Sequence, residues 1–345
     1  MRYSVIVPVY NRPDEVAELL ESLAGTGYGD FEVLVVEDGS SLPCQDLVQG
    51  WADRLYVRYF AKENSGPGQT RNYGAARARG EWLLLVDSDV VVPQGWFAAI
   101  DAALADAPCD AFGGPDRSHP AFTPIQKAIS FSMTSFWTTG GIRGGKARLD
   151  KFYPRSFNMG IRADVYAAVG GFSQMRFGED IDMSIRILEA GYATRLFPEA
   201  WVWHKRRTDF RKFFRQVHCS GIARINLRKR HPGSLKLVHL LPAAFTVGIG
   251  LLTLAFLAGV VLLCCGFFRT GLALCCVALA PDILYTLLIF FSALRKEKSL
   301  QVAAMAVPAA FIQLTGYGTG FLRAWWERDV LGRGEIEAFK ENFYK

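Results

Sequence analysis

The sequence predicts an α/β domain with a mostly parallel sheet, followed by a basic amphipathic segment and a membrane-embedded helical region. Three observations carry this reading. Short β-branched runs alternate with helical stretches over the first ninety residues. The apolar excess behind a mean hydropathy of +0.14 is concentrated between residues 235 and 326. Between the two lies a block, 205–236, with eleven Lys and Arg against the single acid Asp209.

Residues 4–7, 32–36, 55–60 and 82–86 read as buried strands, each short, continuous and rich in Val, Ile or Leu. Between them 14–24, 41–51 and 67–79 read as helices, the first introduced by Pro13 and Asp14, the third by Ser65, Gly66 and Pro67. Strands separated by single helices form right-handed βαβ units, and a ligand then lies beyond the carboxyl ends of the strands. After residue 90 the alternation weakens. Residues 111–115, 157–162 and 193–197 read as further strands and 179–190 as a helix ending at Gly191. The stretch 118–151 is expected to be loop-rich, its glycine run 138–146 suggesting a mobile lid or a plain surface loop.

The residues 209–230 place Phe210, Phe213, Phe214 and Val217 on one helical face, with Arg211, Lys212, Arg215 and Arg224 around the rest, as in a helix lying in a membrane interface. A basic surface helix packed on protein is the alternative. Spans follow at about 238–264, 271–293 and 300–322, with Pro242, Pro281 and Pro308 inside them. The basic block before the first span is the positive-inside signature, which predicts the N-terminal domain on the cytoplasmic face of the inner membrane. Its position beside a span, rather than on a folded basic face, argues against nucleic acid as a partner. The expected organisation is therefore a domain over 1–205, an interfacial linker over 206–234, three spans within 235–323 and a polar tail over 324–345. The cysteines show no CxxC zinc spacing and no disulfide framework. The first apolar run ends at Pro8, too short for a signal peptide, so targeting is expected to reside in the spans.

The unusual residues gather at the carboxyl ends of the predicted strands: Pro8, Val9, Tyr10 and Asn11 after the first, Glu37 to Ser40 after the second, and Asp87-Ser88-Asp89 after the fourth. Neither a GxGxxG after the first strand nor a P-loop occurs. Two carboxylates one residue apart can share a hard divalent cation with diphosphate oxygens, and Mg2+ or Mn2+ suits that donor set. Asp38 can accept from a nucleobase, Arg71 can donate to base or phosphates, and Tyr10 can stack on the ring; an N-cap, a solvated charge and core packing are their bland counterparts. Glu179, Asp180 and Asp182 crowd a helix start, where the dipole favours anions. His204 can pack among tryptophans or, by the family resemblance that follows, serve as a third metal ligand or phosphate contact.

The series SVIVPVYN (4–11), VVEDGS (35–40), NSGPGQTRNYGAARARGEWLLLVDSD (64–89), NMGIRADVYAAVGGF (158–172) and GEDIDM (178–183) resembles the inverting family 2 glycosyltransferases of GT-A fold. The resemblance covers about residues 1–205. It implies that Asp38 contacts the base, that Arg71 and Asp87, with Pro8 and Tyr10, line the nucleotide site, and that Asp89 with Asp87 holds the metal. Asp180, beside Glu179, corresponds to the family's catalytic base. Glu37 stands where the family usually has a second Asp. Gln216 lacks the following Arg-Trp of the processive synthases, which implies single additions.

The function expected on these grounds is transfer of a sugar from a UDP- or GDP-sugar to a lipid-linked acceptor hydroxyl at a membrane, with membrane lipid as a further partner. A lipid phosphate as acceptor is the near alternative. A non-catalytic nucleotide-sugar-binding membrane component is the alternative of another class.

Overall fold

The computed structural model describes residues 1–140, 152–175 and 177–336, and these form two compact units. The expected lid residues 141–146 and the end of the expected tail, 337–345, lie outside the described residues.

The first unit comprises residues 1–120 and 148–205. It opens with β1 (Tyr3–Val9), α1 (Pro13–Ala24), β2 (Phe31–Asp38), α2 (Gln45–Gln49), β3 (Val57–Lys62), α3 (Pro67–Ala75) and β4 (Trp82–Val86), in the predicted βα order. β5 (Val90–Val91), α4 (Trp96–Asp106), β6 (Ala111–Gly113) and β7 (Asp116–Arg117) follow. Two helices of the second unit, α5 (Pro124–Thr134) and α6 (Phe136–Thr139), interrupt the sequence before β8 (Asn158–Arg162), α7 (Ala163–Ala168), α8 (Glu179–Glu189), β9 (Thr194–Leu196) and β10 (Val202–His204) complete it.

The main sheet has the order β3-β2-β1-β4-β8-β6-β9. The pairs among β3, β2, β1 and β4 are parallel, and β8 runs antiparallel to both neighbours. All eight residues of β2 are buried, which is why the strand reads as an unbroken apolar run apart from its acids. One sheet face packs α1 and α4 through Leu19, Leu23, Trp96 and Phe97; the other packs α7 and α8 through Val165, Met183 and Ile187. A small second sheet, β5-β10-β7, sets His204 opposite Val90.

Several expected boundaries shift for local reasons. The helix expected over 41–51 shortens to α2, preceded by a bend in which the amides of Ser41 and Leu42 donate to the Asn11 side chain. The helix expected over 67–79 ends at Ala75, since the Arg79 and Gly80 amides are taken by Glu32 and Ser4. The loop expected over 118–151 is corrected by α5 and α6. Thr123, Pro124 and Gln126 form a capping box with Pro at the first turn, a helix-start signal that was legible in the sequence. Residues 121–140 belong to the helical unit rather than to a domain running unbroken over 1–205.

The second unit holds α5, α6, α9 (Phe210–Arg230), α10 (Leu241–Cys264), α11 (Phe268–Glu297) and α12 (Leu300–Trp325), closed by a π-turn at Trp326–Val330. The three helices beginning at Leu237, Phe268 and Leu300 are long and apolar enough to cross a membrane. Pro281 and Pro308 lie inside α11 and α12, whereas Pro242 occupies the first turn of α10, where its missing N–H costs nothing. The apolar face of α9 meets protein: Phe213 and Val217 are buried in a cluster with Ile129 and Met133 of α5, and Ile312 and Tyr317 of α12 pack against it. That contact is close because Gly316 lies on Val217, Gly320 on the His218 carbonyl and Gly221 on the Tyr317 carbonyl; a Cβ at Gly320 would sit 1.9 Å from that oxygen.

Candidate active site

The site is built at the carboxyl edge of the first unit's sheet. Asp87 and Asp89 sit in the turn between β4 and β5, and β10 returns beside them. The pairing of His204 with Val90 and the bond from the Lys205 amide to the Asp89 carbonyl bring the His204 ring to the two acids. His204 Nε2 is 3.1 Å from Asp89 Oδ1 and 4.0 Å from Asp87 Oδ2. One donor atom from each of the three residues lies within 4.8 Å of the others, and the imidazole stacks on Phe157 at 4.9 Å. Two carboxylate oxygens and one imidazole nitrogen at this spacing fit a divalent ion that tolerates mixed O and N ligands, Mn2+ more readily than Mg2+.

Arg71 links this triad to the start of α8. α3 can lie on the sheet because Gly74 faces Ile6, where a Cβ would approach to 2.6 Å. That places the Arg71 guanidinium, in a residue only 3% exposed, 2.5 Å from Asp87 Oδ1, 3.5 Å from Glu179 Oε1 and over the Phe172 ring. The guanidinium expected at a base or phosphate thus makes two internal ion pairs at the site. Burial drives the Glu179 carboxyl well above the ordinary range, Asp180 adds to the shift and Arg71 opposes it.

Asp180 opens α8 after Gly178, which has φ +81°. One of its oxygens accepts from the Ile181 amide; the other accepts from Arg155 Nε at 2.5 Å. Asp182 points elsewhere, pairing with Arg186, which in turn donates to the Val169 and Gly171 carbonyls, so this third acid is structural.

Asp38 occupies the end of β2, two strands from Asp87 in the sheet order. Its oxygens accept from Lys62 Nζ at 2.6 Å and from the Ser65 and Gly66 amides at 2.8 Å, so the carboxylate clamps the loop leading into α3. Glu37 is turned into the interior, accepting from the Cys44 amide and the Tyr59 hydroxyl. Pro8 and Tyr10 are half-buried at the end of β1, and Asn11, at φ +54°, fastens that end to residues 40–42.

Three charged residues at the site went unread in the sequence. Arg12 Nη1 donates to Asp89 at 3.0 Å, Arg155 to Asp180, and Lys62 to Asp38. Lys62 ends a strand and Arg12 follows one, so attention to every strand end would have found both. Arg155 follows a stretch with no periodic signal.

A mostly parallel sheet with an acid–histidine triad on its carboxyl edge and a second acidic pair at a facing helix start is the arrangement of a GT-A-like α/β domain. Residues 4–169 match the family described as Glycosyl transferase family 2. The chain is 28% identical over 238 residues to the pre-mycofactocin glycosyltransferase of Mycobacterium tuberculosis, an alignment covering 66% of this chain and 48% of that protein. It is 26% identical over 264 residues to the validoxylamine A glucosyltransferase of Streptomyces hygroscopicus, covering 67% and 61%. The chain thus spans about half to three-fifths of the length of these curated relatives. Among solved structures, the mannosyltransferase PcManGT of Pyrobaculum calidifontis, in complex with GDP-Man and Mn2+, superposes with a TM-score of 0.54 at 18% identity, covering 91% of this chain and 87% of that one. This likeness bears on the fold alone.

Proposed function

We propose that the protein is an inverting, metal-dependent glycosyltransferase that moves one sugar per encounter from a UDP- or GDP-sugar to a lipid-linked acceptor hydroxyl at the cytoplasmic face of a membrane. The observation that carries the reading is the convergence of Asp87, Asp89 and His204 beside an acidic pair to which Arg71 ties them. The apolar helices of the second unit support the lipid half of the proposal.

A divalent ion on the triad would offset the charge that grows on a departing diphosphate. The chain's own residues divide the remaining work. Arg71 fixes Asp87 and neutralises part of the acidic cluster, so that the acids can lie together at low cost. Asp180 takes the proton of the acceptor hydroxyl, its second oxygen held by the Ile181 amide at a helix start that favours the anion. Asp38 orders the loop before α3 through Lys62, Ser65 and Gly66 and presents that loop to the nucleotide.

Purified full-length protein in detergent should release nucleoside diphosphate from a UDP- or GDP-sugar in the presence of Mn2+ or Mg2+, and stop after chelation. No release from any common donor with lipid extract as acceptor would overturn the reading. A lipid phosphate as acceptor is favoured by one observation, the cation of Arg155 standing against the base. A phosphate needs little help from a base, so Asp180→Asn separates the two acceptors.

A further inference from the structure

The ends of the helical unit meet in a way that bears on how many of its helices cross the bilayer. Beyond α12, Asp329 pairs with both Arg228 and Lys229 of α9, Lys229 at 2.5 Å. Arg328 donates to Asn226 at 2.6 Å, and Glu335 pairs with Arg230 at 3.0 Å. Residues 226–230 precede the first apolar helix, and residues 328–335 follow the last. Charged groups in mutual contact share one side of a membrane. Three full crossings would put these two segments on opposite sides.

The packing of α12 agrees. α10 and α11 form an antiparallel hairpin: Gly259 lies against Cys275 and the Gly271 carbonyl near the tip, and Phe245 against Tyr285 near the base. The first half of α12 packs on Ile289 and Ala293, late in α11. Its second half meets the beginning of α10, with Gly318 on Pro242 and Thr246, and with Phe321, Leu322 and Trp325 lining a cavity beside Ala243 to Leu251. A helix of 26 residues is about 39 Å long, enough to cross a bilayer, yet both of its halves lie beside the base of the hairpin and neither flanks the tip at 264–268. Alongside it runs α9, whose Arg211, Lys212, Arg215, Arg224, Arg228, Lys229 and Arg230 exclude that helix from a hydrocarbon core. Of the three apolar helices, α12 has the lowest peak hydropathy, 1.3 against 2.6 and 2.2, and the largest buried share.

We infer that the chain crosses the membrane twice, through the α10–α11 hairpin alone, and that α12 lies with α9 and α5 as a platform in the headgroup region of the leaflet from which the hairpin enters. The partner of this platform is the lipid surface. It is met by exposed aromatic residues: Trp325 and Trp326 at the end of α12, and Phe136 and Trp137 of α6, the last accepting at its carbonyl from Tyr285 near the hairpin base. The inference rests on the membrane attachment proposed above.

The test labels full-length single-cysteine variants in sealed, oriented vesicles with an impermeant maleimide. Pro232→Cys and Gly332→Cys report the two joined segments and Phe267→Cys the hairpin tip, in a background with the native cysteines replaced. Residues 232 and 332 should label from one side and 267 from the other. Labelling of 332 together with 267 would overturn the two-crossing assignment while leaving membrane attachment intact. Release of the protein by alkaline carbonate, with all three positions labelled freely, would instead remove the membrane reading itself. Trypsin on vesicles carrying the unmodified protein gives an independent readout, with cleavage after Lys236 and Arg333 expected from the same side and cleavage from opposite sides counting against the inference.

Discussion

The interiors of the two units are held by different forces. In the first, charged side chains converge on one sheet edge and neutralise one another: Arg71 with Asp87 and Glu179, Arg155 with Asp180, Arg12 with Asp89, Lys62 with Asp38. In the second, backbones approach at glycine and alanine, as at Gly221, Gly316 and Gly320 between α9 and α12 and at Gly259 and Gly271 between α10 and α11. Charge networks place chemistry precisely enough for one missing atom to matter, whereas small-residue packing fixes helices and is sensitive to added volume. Substitutions in the two regions should therefore fail in distinguishable ways.

The largest effect is expected at Asp180. Replacing it with Asn keeps the shape and removes the proposed base, so kcat should fall by about 10²–10⁴-fold for a hydroxyl acceptor, with donor affinity nearly unchanged. Steady-state kinetics with the purified enzyme measure both constants. Less than a tenfold loss would assign the acceptor as a phosphate.

Asp89→Ala and Asp38→Ala divide the charge network itself. The first removes a proposed metal donor and should depress kcat by roughly 10²–10³-fold with a steeper metal requirement. The second strips Lys62 and two loop amides of their acceptor, so it should raise KM for the donor and also lower stability by roughly 3 kcal/mol. Thermal melting alongside kinetics checks this; a stability unchanged by Asp38→Ala would mean that the clamp contributes nothing.

Adding volume in the second unit should leave the donor site alone. Gly320→Leu drives a side chain into the His218 carbonyl and should cost about 1–3 kcal/mol or more in the helical unit, while nucleotide binding to the first unit persists. Binding of labelled nucleoside diphosphate to the variant in detergent is the measurement, and loss of binding together with helix packing would show that the units do not behave independently.

The smallest effect concerns pH. Glu179 is pushed up to about 7 from 4.5, chiefly by burial, so the folded state holds its proton where the unfolded chain has lost it. Its contribution to stability is thus fully present below about pH 4.5 and disappears as pH rises through about 7, with a ceiling of roughly 3 kcal/mol. Glu179→Gln should flatten that part of the stability profile, raising Tm relative to the native protein at pH 8 more than at pH 5. An equal shift at both values would assign the titration elsewhere.

Much of the first unit was legible because its signals are local. β4 appears at its predicted bounds, and β1 to β3 and α1 lie within three residues of theirs, since continuous apolar runs and a Pro at a helix start do not depend on distant partners. The same holds for the acids at strand ends. Arg71 lies on the expected helix, but its pairs with Asp87 and Glu179 could not be read, because which carboxylate meets a guanidinium depends on how α3 and α8 lie over the sheet. α5 was missed although Thr123, Pro124 and Gln126 announced it, the glycine-rich stretch beyond having suggested loop throughout.

By itself the sequence determined the parallel sheet, the acids on its carboxyl edge, the basic segment and three apolar helices, all of them properties of composition and period. Only the tertiary structure decided that His204 joins Asp87 and Asp89 across a hundred residues, that Arg155 faces Asp180, and that Phe213 and Val217 of α9 are covered by α5 and α12. Hydropathy states what a helix could bury and is silent on what buries it. Partners far apart in the chain are chosen by shape and charge in three dimensions, and glycines at 221, 316 and 320 select a neighbour only when the other backbone arrives.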